Sequence, residues 1–159
     1  MKKINRSELL ISVVIAELTG ALSALLAGGY SDFYREIIRP PFSPPGAVFP
    51  VVWAVLYALM GVSSYLVCNA DEAFTNARKR ALMLYAVQLG VNFIWSILFF
   101  RFRMFAASAA VAVLLSVLVL LMILQFSKVR KSAARLNVPY LLWSIFASYL
   151  AIGVWLLNA

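Results

Sequence analysis

Polar residues divide the chain into five long apolar runs, 9–27, 47–67, 81–100, 104–126 and 138–157, each almost free of Asp, Glu, Lys and Arg. Each run holds about 20 residues, enough for a helix rising ~1.5 Å per residue to cross a hydrocarbon core of ~30 Å. Strands of a membrane barrel would instead be ~10 residues long with strict alternation, and no such pattern occurs here. The runs therefore predict an all-α integral membrane protein: one domain over 1–159, a five-transmembrane-helix bundle.

The connections differ in kind. Residues 28–46, GGYSDFYREIIRPPFSPPG, form a long proline-rich loop between the first and second helices. Gly28 and Gly29 stop the first helix, and Pro40, Pro41, Pro44 and Pro45 prevent another from starting. A loop of this length is either a solvated connector or a lid over a binding site. At the other extreme, Arg101-Phe102-Arg103 barely allows a turn, which makes the third and fourth helices antiparallel neighbours. No internal repeat marks an inverted-repeat transporter.

Composition agrees with the membrane class, with 64% hydrophobic and only 13% charged residues. The net charge of +8 does not indicate a nucleic-acid partner, because the basic residues sit at the ends of the apolar runs. They report orientation instead. Lys2, Lys3, Arg6, Arg78, Lys79, Arg80, Lys128, Arg130, Lys131 and Arg135 fall on one side, ten against four (Arg35, Arg39, Arg101 and Arg103) on the other. By the positive-inside rule the N-terminus is cytoplasmic and the C-terminus outside. The opening MKKINR and its apolar run resemble a secretory signal, but the run is too long for one and carries Glu17, so it reads as the first helix.

The residues that could carry chemistry are few. There is no histidine, which removes the commonest general base and metal ligand, and Cys68 is the single cysteine, so no metal site is expected. Asp71 and Glu72 read as a solvated pair beside basic neighbours. Glu17, near the middle of the first span, is either a functional group or a protonated acid bonded to a neighbouring helix. Gln88, Asn92, Trp95 and Phe99 share one face of the third helix, and Trp53, Tyr57 and Ser64 share one face of the second. The amides must point into the bundle, either as interhelical glue or as orienting groups in an aromatic pocket. By depth, Trp53 and Trp95 lie in the outer part of the membrane below the proline loop. Trp143 starts in the opposite leaflet, and Trp155 is placed as an interface anchor. Helix initiation at Pro50 would move Trp53 towards the headgroups. Ala16, Gly20, Ala24 and Gly28 form a small-residue stripe suited to close packing, within the bundle or against a second copy.

RPPFSPPGAVFPVVWAVLYALMG at 39–61, QLGVNFIWSILFF at 88–100 and VPYLLWSIFASYLAIGVWLLN at 138–158 resemble, in order, the signatures of the TspO/MBR family of tryptophan-rich sensory and translocator proteins. The resemblance implies a five-helix bundle of the cell (inner) membrane, often a homodimer. It also implies a cavity under the first loop that binds porphyrin, haem or another hydrophobic ligand as a receptor or translocator. No cofactor is required. By the family pattern the ligand-binding positions are Phe42, Trp53, Tyr57, Asn92, Trp95, Trp143 and Ala147. Regulation of tetrapyrrole metabolism is the function implied first. A light- and oxygen-dependent porphyrin-degrading activity, with Trp53 and Trp143 as catalytic residues, is the alternative, and a transporter or stress-linked scaffold is another. Two positions depart from the family: Phe42 stands where tryptophan is usual, and Ala151 where many members carry asparagine.

Overall fold

The computed structural model describes residues 5–28, 33, 35–70 and 75–159. Lys2, Lys3, Gly29, Asp71 and Glu72 lie outside the described residues. Among the described residues the α-helices with assigned bounds are α1 Arg6–Ala27, α2 Val48–Cys68, α3 Thr75–Ser96, α4 Phe105–Val129, α5 Lys131–Leu136 and α6 Val138–Asn158. α3 runs on into a π-helical turn, Ile97–Arg101, and α5 precedes α6 within the fifth span. Five segments are long and apolar enough to cross a membrane, as the five apolar runs predict.

The helices differ from the runs at their ends, for one reason. An apolar run reports the hydrocarbon crossing, whereas a helix continues wherever good helix formers allow. Arg78, Lys79 and Arg80, expected in a loop, belong to the first turns of α3, because Ala, Arg and Lys all favour helix. Likewise the expected 127–137 connection contains α5, whose KSAARL sequence has the same character. Pro50 is the third residue of α2 and not its first, a position where the missing N–H costs nothing.

Around the bundle, α1 packs on α2, α2 on α5, α6 on α4, α4 on α3, and α3 back on α1. α4 presents Ser108, Ala112, Leu115, Val119, Met122 and Phe126 to the interior, a seam alternating three and four residues apart. α1 is peripheral, with only Ala16, Ser23 and Ala27 buried. Its hold on α2 depends on Gly61, where an added Cβ would lie 2.5 Å from Val13 Cα. The Ser23 hydroxyl ties α1 to α3 by donating to the Phe93 carbonyl at 2.8 Å.

The proline segment lies along the C-terminal half of α6. The Asn158 side chain accepts from the Ile38 N–H at 2.9 Å and donates to the Ile38 carbonyl at 2.8 Å. Tyr149 donates to the Pro41 carbonyl at 3.0 Å, and at Gly153 an added Cβ would stand 2.5 Å from the Pro40 ring. From the other side, Arg101 donates to the Leu26 carbonyl at the end of α1. Phe33, 2% exposed, inserts edge-on between Phe99 and Phe100.

Candidate ligand site

A cavity of about 400 Å³ lies between α1, α2 and the C-terminal end of α3. One wall is aromatic: Phe49, Trp53 and Tyr57 from α2, with Trp95 and Phe100 from α3 and its π turn. The facing wall is made by α1 and is small: Gly20, Ala21, Ala24 and Ala27, with Glu17 one turn deeper. This is the stripe of small residues seen in the sequence, and its inner part packs within the bundle. Ala16 is fully buried, and an added Cβ on Gly20 would stand 2.2 Å from the Tyr57 ring, closer than any real contact. Glycine there lets the Tyr57 ring lie flat against α1.

A second, much smaller space of about 40 Å³ lies under the proline segment, between Ile37, Arg39 and Ser43 on one side and Ala147, Leu150, Ala151 and Val154 of α6 on the other. Phe49, Trp95 and Phe100 line both spaces and so form the partition between them.

The predicted face of α3 is buried: Gln88, Asn92, Trp95 and Phe99 are each less than 10% exposed. Each has a partner on another element. Asn92 donates to the Tyr57 hydroxyl at 3.0 Å. Gln88 accepts from the Tyr140 hydroxyl at 2.7 Å and lies 3.8 Å from the Met60 sulfur. The Trp95 indole donates to the Ser108 carbonyl at 3.0 Å, so the cavity meets its ring and not its N–H. Both amides thus bridge helices.

The candidate residues separate into groups. Trp53, Tyr57 and Trp95 line the larger cavity, and Asn92 stands behind Tyr57. Ala147 lines the smaller space. Trp143 lines neither and packs on Phe49 with ring centroids 5.8 Å apart. That contact was not expected from depth; it sets Trp143 against the second residue of α2. The Trp143 N–H is buried with no hydrogen-bond partner among the described residues. Phe42, at φ 63° and 87% exposed, points away from both spaces.

Two lining residues were missed, Phe49 and Phe100. Phe49 stands four residues before Trp53 on the same face of α2, a spacing that could have found it. Phe100 is rotated by the π turn, where Phe102 N–H bonds back five residues to Ile97 and the 3.6-residue period fails.

The order of aromatic α2, amide-bearing α3 and loop-bearing α6 also identifies the chain. The family model described as TspO/MBR matches residues 11–156. This protein belongs to the TspO/MBR family. It is 36% identical over 128 residues to "Tryptophan-rich protein TspO" of Chlorobaculum tepidum, covering 80% of each chain. The corresponding protein of Archaeoglobus fulgidus is 34% identical over 155 residues, 91% of this chain and 99% of the relative. "Translocator protein" of Homo sapiens is 34% identical over 123 residues, 77% of this chain and 73% of the relative. A TspO/MBR chain of this kind is a multi-pass membrane protein, consistent with its five spans.

Proposed function

We propose that this TspO/MBR protein is a receptor of the cell (inner) membrane that binds a flat hydrophobic ligand, of the porphyrin type, in the cavity between α1, α2 and α3. The observation that carries the proposal is a space of about 400 Å³ with aromatic rings on one wall and only small residues on the other. That volume lies within the ~300–1,000 Å³ typical of small-molecule sites, and aromatic walls with few polar groups are their usual lining. The chain has no histidine, so a ligated haem lacks its commonest axial donor, and a metal-free porphyrin held by stacking suits the residues better. Control of tetrapyrrole metabolism is the role we assign to such binding. A homodimer belongs to the same proposal. Its contact would use faces other than the Ala16–Gly20 part of the stripe, which α2 already covers.

The test is a titration of the purified protein in neutral detergent with protoporphyrin, following tryptophan emission. Trp53→Phe should remove part of the quench. A quench that responds only to Trp155→Phe would place the ligand at the membrane interface and overturn the proposal.

One observation favours light- and oxygen-dependent porphyrin breakdown as a second reading. Trp53 lines the cavity and adjoins two more oxidisable rings, Tyr57 at 5.6 Å and Tyr140 at 6.1 Å between centroids. In that reading Trp53 is the electron donor to the excited porphyrin and dioxygen is the oxidant.

A further inference from the structure

Glu17 has no role in the reading above. It lies 11 residues after the start of α1 and 10 before its end, so at ~1.5 Å per residue both interfaces are ~15 Å away. A glutamate side chain reaches only a few ångströms, too short to return its carboxyl to water. The group therefore stays at mid-membrane, where an ionisable side chain is costly and usually has a partner.

Among the described residues, Glu17 makes no hydrogen bond or salt bridge to another protein group. It does line the cavity, and it is the single charged side chain among those that do. No lysine or arginine shares that lining, although the chain has 14 of them. The same cavity is lined by Phe49, Trp53, Tyr57, Trp95 and Phe100. The Tyr57 hydroxyl accepts from Asn92, which leaves its own proton without an acceptor among the described residues.

We propose that Glu17 makes this cavity a site for amine-bearing ligands: a protonated amine on an aromatic or polycyclic body, with the amine on the carboxylate and the body between the aromatic wall and the small residues of α1. Three features agree on that chemistry. A carboxylate without a protein counter-charge is best completed by a cation that arrives with the ligand. The faces of indole, phenol and benzene rings attract cations, most strongly where water is excluded. Gly20 seats the Tyr57 ring against α1 one turn from the carboxylate, where any side chain would collide with it, so an aromatic ring stands beside the acid in the lining. The inference rests on the cavity being a ligand site, but not on porphyrin being the ligand. Protoporphyrin carries two carboxylates, and Glu17 gives them nothing to bind.

The experiment compares two probes of similar shape in neutral maltoside micelles, 9-aminoacridine as the cation and anthracene as its uncharged counterpart, each titrated against the intact protein. Wild type should prefer the amine, and Glu17→Gln should reduce the ratio of the two affinities roughly ten- to hundredfold, the range of a charge-assisted hydrogen bond. Ala24→Leu, which lengthens a side chain of the lining, should weaken both probes together. An unchanged ratio in Glu17→Gln overturns the proposal and leaves Glu17 an idle acid. Two further results also overturn it: Ala24→Leu binding both probes as wild type does, which places them elsewhere, or wild type with no preference for the amine. Protoporphyrin quenching in the same wild-type sample separates the outcomes. Quenching without amine preference sinks only the amine proposal, and amine preference without quenching sinks only the porphyrin reading.

Discussion

Replacing Asn92 by leucine tests whether the amide holds the bundle together or holds a ligand. The side chain is 1% exposed and donates to Tyr57 at 3.0 Å, and it does not line the cavity. Hydrogen bonds between membrane helices average ~0.6 kcal/mol and reach ~1.7, because the separated helices find other partners. Asn92→Leu should therefore lower stability by about 0.5–1.5 kcal/mol while the protoporphyrin affinity stays within about threefold. Tyr57→Phe should cost more, about 1–3 kcal/mol, because it leaves a buried amide donor unpaired. The double variant should fall short of the sum by about the worth of the bond itself, since neither partner is then stranded. Reversible unfolding in mixed micelles, followed by circular dichroism, gives the stabilities, and emission quenching gives the affinities. A tenfold loss of affinity in Asn92→Leu with stability unchanged would refute the reasoning, for it would mean that the amide meets the ligand and not Tyr57.

The remaining expectations concern the indoles, the orientation and the loop. Trp53→Phe should remove most of any light-driven porphyrin loss while Trp143→Phe leaves most of it, because Trp53 lines the cavity and Trp143 does not; wild type that bleaches porphyrin no faster than micelles holding free tryptophan ends the photo-oxidation reading. A reporter fused after Ala159 should be active only outside the cytoplasm, and activity inside would reverse both termini. Asn158→Ala removes both bonds to Ile38, each worth about 0.5–1.5 kcal/mol, and should speed hydrogen exchange at the Ile38 amide without unfolding α6; unchanged exchange would mean that the proline segment is held elsewhere.

The spans were legible because the bilayer imposes one length on every apolar run, and charge bounds each run sharply. The polar turns that begin α3 and the whole of α5 were not, since hydropathy is silent once a helix leaves the hydrocarbon. Helical spacing was equally informative about the buried face of α3. It could not assign partners, because whether Asn92 meets a ligand or Tyr57 depends on the register between two helices. Trp143 shows the same limit from another side: its place along its own helix does not say that its neighbour is Phe49, at the start of α2. Phe42 was beyond spacing altogether, for a left-handed backbone at φ 63° decides which way its ring turns.

The position of the cavity follows from how the two flanks at the proline-segment end of the bundle are filled. On the α6 flank, the proline segment is fastened at Ile38, Pro40 and Pro41, and it fills the groove until only about 40 Å³ remains. That close fit needs a residue without a side chain at Gly153, which the Pro40 ring covers. On the opposite flank α1 carries small residues, and among the described residues no segment covers them, so about 400 Å³ stays open there. Phe49, Trp95 and Phe100 stand between the two flanks. The aromatic partition is thus supported from behind by a packed loop and faces an open slot in front, an arrangement that gives a flat ligand one rigid surface to stack on. The slot is shaped as much by what α1 lacks as by what α2 and α3 supply.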